Sequence, residues 1–196
     1  LERHSIAAER PGYLLRVYDA LVAVEYAARA LSQGEEVPEL TLPVAESNQQ
    51  FPVGRIYWVG RNYAEHAREM GHDPDREPPF FFMKAANSIV QSGSAIAYPV
   101  GTKDVHHEIE MVVAIAKGGK NIPVEKALEH VWGYGVGLDM TRRDIQGEAK
   151  KMGRPWEMGK SFDESAPIST LKPASAIGHP SKGAIWLKVN GAMKQQ

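Results

Sequence analysis

Glu108 and Glu110 stand two residues apart in the apolar run Val105-His106-His107-Glu108-Ile109-Glu110-Met111-Val112-Val113-Ala114-Ile115-Ala116. Side chains alternate across a strand, so both carboxylates point to one side, roughly 7 Å apart. Val105, His107, Ile109, Met111, Val113 and Ile115 take the other side, which is expected to be core. Two like charges beside a core require a cation or solvent between them. A third acid, Asp139, ends a second apolar run, Val131 to Leu138, and a strand end can reach a neighbouring strand. Glu108, Glu110 and Asp139 would form a hard, all-oxygen ligand set suited to Mg²⁺ or Mn²⁺, with positions left for water and a chelating substrate. The bland alternative is a solvated sheet face. His106 shares the carboxylate side and could support a ligand from behind; His107 belongs by parity to the core.

Other groups could do chemistry beside such a metal. In Gly60-Arg61-Asn62-Tyr63-Ala64-Glu65-His66-Ala67-Arg68-Glu69, a turn opening a short helix would make His66 and Glu69 neighbours at i, i+3. A carboxylate beside an imidazole fixes its tautomer and raises its basicity, as water activation near neutral pH requires. An exposed helical pair would carry the same spacing. Lys160 follows Gly159, where backbone can approach a ligand closely and a lone ammonium can face an anion, although a snorkelling surface lysine fits too. Arg143 and Gln146 lie four and seven residues after Asp139, on its face if the segment is helical. Arg142 would point elsewhere, into solvent.

These residues need elements to hold them. Leu14, Val17, Tyr18, Leu21, Val24, Ala28 and Leu31 predict an amphipathic helix over 13–33, capped near Gly34. Residues 35–50, with Pro38 and Pro43, read as an extended linker, giving a helical appendage over 1–50 and a main domain over 51–196. Within that domain short strands are expected near 55–59, 80–83, 95–98, 108–116, 132–138 and 185–189. Helices are expected from Pro123 to His130 and from Thr141 to Met152, the latter stopped by Gly153 and Pro155. Asn190-Gly191 predicts a tight hairpin whose return strand ends at Gln196.

The composition narrows the class. With 196 residues, 43% of them hydrophobic, the chain can bury a substantial core. A formal net charge of −1 gives no nucleic-acid footprint. The longest apolar-rich stretch, Tyr13 to Leu31, carries Arg16, Asp19, Glu25 and Arg29, which argues against a membrane span. Without cysteine there is neither a disulfide framework nor thiol catalysis, and no signal peptide is visible, so a reducing cytoplasm is the expected location.

Taken in order, Val59-Gly60-Arg61-Asn62-Tyr63 with His66 and Glu69, His107-Glu108-Ile109-Glu110, Leu138-Asp139-Met140-Thr141 with Arg143-Asp144-Ile145-Gln146, Lys160-Ser161-Phe162 and Val189-Asn190-Gly191 resemble the fumarylacetoacetate hydrolase family. The resemblance runs from about Val53 to Gln196 and is closest in pattern to bacterial fumarylpyruvate hydrolases, a branch of the acylpyruvate hydrolases. It implies an α+β, strand-rich fold: a mixed β-roll with short peripheral helices, here preceded by the N-terminal helix and lacking the C-terminal strands that complete the roll. It also implies a homodimer. Glu108, Glu110 and Asp139 match the divalent-metal ligands, His66 and Glu69 the water-activating pair, and Lys160 a substrate-side lysine. Arg61, Arg143 and Gln146 are expected on the substrate.

The implied reaction is metal-assisted hydrolysis of a carbon–carbon bond in an acylpyruvate, with fumarylpyruvate giving fumarate and pyruvate in gentisate-type aromatic catabolism. Rival readings keep the metal and a small oxo-acid but decarboxylate oxaloacetate, or isomerise or hydrate an unsaturated oxo-diacid. A rival of another class is a catalytically silent metal-binding or assembly subunit.

Overall fold

Glycine at every second position of Val131–Leu138 decides how the central sheet packs, and that sheet delivers one edge of the candidate site. The computed structural model describes residues 40–60 and 80–196, all within one unit, Leu40–Gln196. The helix expected over 13–33, together with Arg61, His66 and Glu69, lies outside the described residues.

The chain enters through a small antiparallel pair, β1 (Thr41–Pro43) and β2 (Gln50–Pro52), and continues into a second pair, β3 (Ile56–Gly60) with β4 (Phe80–Lys84). The central sheet collects β5 (Ile89–Gln91), β7 (Ile109–Ile115), β8 (Val131–Leu138), β10 (Ala166–Ile168) and β11 (Lys172–Pro173). There β7 lies antiparallel to β8, both β10 and β11 pair with β8, and β10 runs parallel to β5. A short bridge joins β6 (Val105–His106) to β9 (Thr141–Arg142). Among the described residues the α-helices are short: α1 (Arg143–Lys151), α2 (Glu157–Lys160) and α3 (Ala174–Ile177). The architecture is α+β and strand-rich, as expected.

In the β7–β8 register, Glu110 faces Gly137, Val112 faces Gly135 and Ala114 faces Gly133. A Cβ on Gly133 would lie 2.3 Å from the Lys172 carbonyl oxygen, and one on Gly135 would lie 2.9 Å from a Leu171 methyl. The missing side chains let β11 and Leu171 close onto β8. Leu171, fully buried, joins Leu42, Ala114 and Ile168 in one core cluster, with Val112 and Phe51 packed against it. A second cluster gathers Trp58, Phe82 and Ala166, with Phe80 and Trp156 against it. The Phe80 and Trp156 rings meet edge to face at 4.9 Å.

This packing reverses one expectation. Met111, Val113 and Ile115 are 49%, 41% and 63% exposed, whereas Ala114 is buried. The alternation is present, but the side that shares Glu110, Val112 and Ala114 is the one turned inward, because the glycines of β8 make room there. His107 is only half-buried, and among the described residues its buried Nδ1 has no hydrogen-bond partner, so the reading as a satisfied core histidine is not met there.

Several element predictions also shift. The linker reading fails at residues 41–44, where Leu42 and Val44 are buried and Leu171 donates its N–H to the Pro43 carbonyl at 2.9 Å. Residues 95–98 form no strand: the Ala97 N–H donates to the Glu164 carboxylate at 2.7 Å instead of a ladder, and Pro99 follows. The helix expected after Pro123 is a 3-10 helix, Val124–His130. The Asn190-Gly191 hairpin joins β12 (Leu187–Val189) to β13 (Ala192–Gln195), and both turn residues have positive φ, 50° and 81°, as the type I′ geometry requires.

The first turn of α1 is fixed from outside. Asp144 accepts the Thr102 hydroxyl at 2.6 Å and the Lys103 N–H at 3.0 Å, and these bonds, the Thr102 one foremost, hold its carboxyl below the ordinary aspartate value. A carboxylate depressed in the folded state contributes stability that is complete above its unfolded pKa and is lost as pH falls through the folded one. Asp144→Asn is therefore expected to cost about 0.5 kcal/mol near neutral pH, small because the group is exposed. The gap between wild type and variant should close in acid, read as urea midpoints over a pH series.

Candidate active site

Glu108, just before β7, and Asp139, just after β8, are brought side by side by the antiparallel register. The Asp139 N–H donates to the Glu108 carbonyl at 2.9 Å, extending the ladder by one rung. From the other side comes Lys160 at the end of α2. Gly159 allows that approach, since a Cβ there would sit 2.8 Å from the Gln146 backbone nitrogen on α1.

The Lys160 ammonium is the meeting point. It donates to Asp139 Oδ2 at 2.6 Å, to Thr141 Oγ1 at 2.7 Å and to Glu108 Oε2 at 3.0 Å. With the lysine 2% exposed, the snorkelling alternative is excluded. Arg143 binds the other Glu108 oxygen, Oε1, and donates through Nη1 to Gln146 Oε1 at 2.6 Å. Arg143 and Gln146 therefore reach the same cluster as Asp139, although the helix begins only at Arg143, so it is the turn after β8 and not helical spacing from Asp139 that brings them there.

A second lysine, which sequence reasoning missed, completes the cluster. Lys84 is 1% exposed, and its Nζ lies 2.9 Å from Asp139 Oδ1. It also donates to the carbonyl of Met140 at 2.9 Å and to that of Lys160. The available signal was parity: in Phe80-Phe81-Phe82-Met83-Lys84, residues 82 and 84 share the buried side of β4. Thr141, fully buried, was likewise not singled out as a contact of Lys160.

Burial and charge pull these groups apart electrostatically. Burial raises the Asp139 carboxyl above its ordinary value despite both lysines. Burial also pushes Glu108 upward, but the Lys160 and Arg143 charges outweigh it and hold that carboxyl low. Burial lowers Lys84 to about 8, with the Asp139 charge opposing the shift. The result is a dry, ion-paired cluster of unequal acids, the setting in which functional groups are found.

The expected metal ligands are only partly assembled. Among the described residues no three acidic or imidazole side chains converge. Glu108 and Asp139 do converge, and the cation they hold is the Lys160 ammonium; Glu110 stands half-buried opposite Gly137. Two carboxylates and a hydroxyl directed at one positive centre are the hard oxygen donors that suit a small divalent ion. His106 does not support this group: its Nε2 lies 3.1 Å from Asp104 in a half-exposed pair. Nor is Arg142 solvated, since it is half-buried with its guanidinium 4.4 Å from the Phe162 ring centroid.

Residues 55–196 match the family described as fumarylacetoacetate (FAA) hydrolase C-terminal. The fold is similar to the crystal structure of fumarylpyruvate hydrolase from Pseudomonas aeruginosa in complex with Mn²⁺ and pyruvate, with 58% identity and a TM-score of 0.77, over 82% of this chain and 71% of that one. The human mitochondrial oxaloacetate tautomerase FAHD1 is 43% identical over 141 residues, 72% of this chain and 63% of that protein. An uncharacterised protein of Pyrococcus horikoshii is 41% identical over 82% of this chain and 69% of its own length. The chain thus spans about two thirds of the relatives it matches.

Proposed function

The chain belongs to the fumarylacetoacetate hydrolase family, and from that premise we propose that it hydrolyses a carbon–carbon bond in an acylpyruvate, with fumarylpyruvate as substrate and Mg²⁺ or Mn²⁺ as cofactor. The observation that carries this reading is the convergence of Glu108 and Asp139, from two strands, on one buried positive centre. The similar fumarylpyruvate hydrolase, with its Mn²⁺ and pyruvate, supports it. In this reading Glu108, Glu110 and Asp139 would hold the ion, which would supply Lewis-acid polarisation of the 2-oxo acid.

The chain's own residues do the rest. His66, oriented by Glu69, takes a proton from water as the water oxygen bonds to the distal acyl carbonyl carbon. The bond from that carbon to the pyruvate methylene then breaks, its electron pair stays with the pyruvate unit, and a proton completes the methyl group. Fumarate and pyruvate leave, so atoms balance with one water consumed. Lys160 contributes positive charge against the developing negative charge. Arg143 is already engaged by Glu108 and Gln146, so this reading gives the far carboxylate of a dicarboxylic substrate to Arg61. Residues 51–196 would be the catalytic unit of a cytoplasmic homodimer; no described helix is long and apolar enough to cross a membrane.

The similarity to an oxaloacetate tautomerase favours one second reading, proton transfer on oxaloacetate without bond cleavage. Product analysis separates the two. With Mn²⁺ present, fumarylpyruvate should yield fumarate and pyruvate in equal amounts, and His66→Ala should lower that rate by about 10²-fold or more. Intact fumarylpyruvate, with oxaloacetate changing only its tautomer, would replace hydrolysis with the second reading; release of carbon dioxide from oxaloacetate would mark a decarboxylase.

A further inference from the structure

The geometry points to Lys84 as the positioning residue of the cluster, fixing the orientation of Asp139 toward the metal; this rests on the metal-dependent reading above. The contacts of this buried ammonium, one ion pair and two hydrogen bonds to carbonyls, serve one purpose. Lys84 reaches from the end of β4 to Asp139 Oδ1, to the Met140 carbonyl and to the Lys160 carbonyl, so it ties the turn after β8 to the end of α2. With Oδ1 taken at 2.9 Å, Asp139 must turn Oδ2 toward Lys160 and Glu108, where it is found 2.6 Å from Lys160 Nζ. Aromatic rings close the sides: the Trp58 and Phe162 centroids lie 5.7 and 5.5 Å from Lys84 Nζ. With Lys84 1% exposed, it is placed to act on substrate only through Asp139 and the two carbonyls.

Removing such a residue has two opposed consequences for cation binding. Loss of a nearby positive charge, by itself, would tighten the hold on a divalent ion. Loss of the ion pair takes the counter-charge from Oδ1, a buried oxygen with no hydrogen-bond donor among the described residues, and the carboxylate turns toward its other partners, which weakens the site. Positioning predicts the second sign.

The test is Mn²⁺ titration of the full chain by calorimetry, which needs no turnover. Lys84→Met is expected to bind Mn²⁺ at least ten-fold more weakly than wild type, but to change affinity less than two-fold when Asp139→Asn is already present. Lys84→Gln, which keeps a polar N–H group beside Oδ1 and the carbonyls without the charge, should fall between wild type and Lys84→Met, and it carries the test if the methionine variant does not fold. Unchanged or tighter Mn²⁺ binding in either folded variant overturns the assignment. A wild-type chain that binds Mn²⁺ and leaves fumarylpyruvate intact would sink the proposed reaction alone. One that takes no Mn²⁺ would end the metal-dependent reading, and Lys84 would then be judged on urea midpoints, where losses from Lys84→Met and Asp139→Asn that simply add overturn it.

Discussion

Asp139→Ala is expected to abolish turnover and to destabilise the fold at the same time, an unusual pairing for an active-site change. Activity should fall by roughly a thousand-fold or more, because several kcal/mol of electrophilic stabilisation would go with the ligand. Stability should fall by about 3–5 kcal/mol near neutral pH, the cost of leaving buried charges without their partner. Lys84 and Lys160, 1% and 2% exposed, both lean on this one carboxylate. The pH dependence follows from the sign of the lysine shift. Burial already lowers Lys84 to about 8 against an ordinary 10.5, and losing Asp139 removes a charge that opposes that shift. Between the folded and unfolded pKa values the unfolded chain binds more protons, so stability rises with pH across that window. The deficit of Asp139→Ala should therefore be largest at lower pH, where the amine is protonated in both proteins, shrink as pH rises to about 8, where wild-type Lys84 also sheds its proton, and stay constant above it. Urea unfolding of the metal-free variant and wild type over that range measures it; a deficit that grows with pH would contradict the assignment.

Leu171→Ala should be the most costly core truncation, at about 3–5 kcal/mol. Its side chain is fully buried over Gly135 among Leu42, Ala114 and Ile168, and its backbone ties to Pro43 and Ala45 leave little room for collapse into the cavity. Catalysis by the molecules that remain folded should be close to wild type in the cold, since Leu171 touches none of the charged cluster. A thermal midpoint many degrees lower with a near-normal rate at low temperature is the expected signature. A large loss of rate in a folded sample would mean that the glycine-packed sheet sets the alignment of Asp139 as well as its support.

Much of the site can be read from residue order. Glu108 and Asp139 meet as strand ends, Arg143 and Gln146 follow on one helical face, and Asn190-Gly191 turns as its chemistry demands. What could not be read is informative in physical terms. Alternation in 105–116 assigns sides but not depth, and depth depends on Gly133, Gly135 and Gly137 in another strand. Leu42 and Val44 resemble linker residues until β2 and Leu171 cover them. Lys84 has the composition of a surface residue; only its parity with Phe82 betrays it, and only the fold supplies the three oxygens that make its burial tolerable. The helix expected from Thr141 opens two residues later, at Arg143, so helical geometry sends Arg142 to solvent where it instead pairs across from Val105 in the β6–β9 bridge.

The Lys84 contacts carry a consequence for how the molecule comes together. Its partners Met140 and Lys160 are 56 and 76 residues downstream, so no local stretch of chain can assemble the cluster in advance. Closing loops of that length is an entropic expense met only once the intervening strands are in place. Competence for cation capture should consequently arrive in the last kinetic phase of refolding, after the β-signal has saturated, and a nick anywhere between β4 and α2 should silence the site well before it melts the sheet.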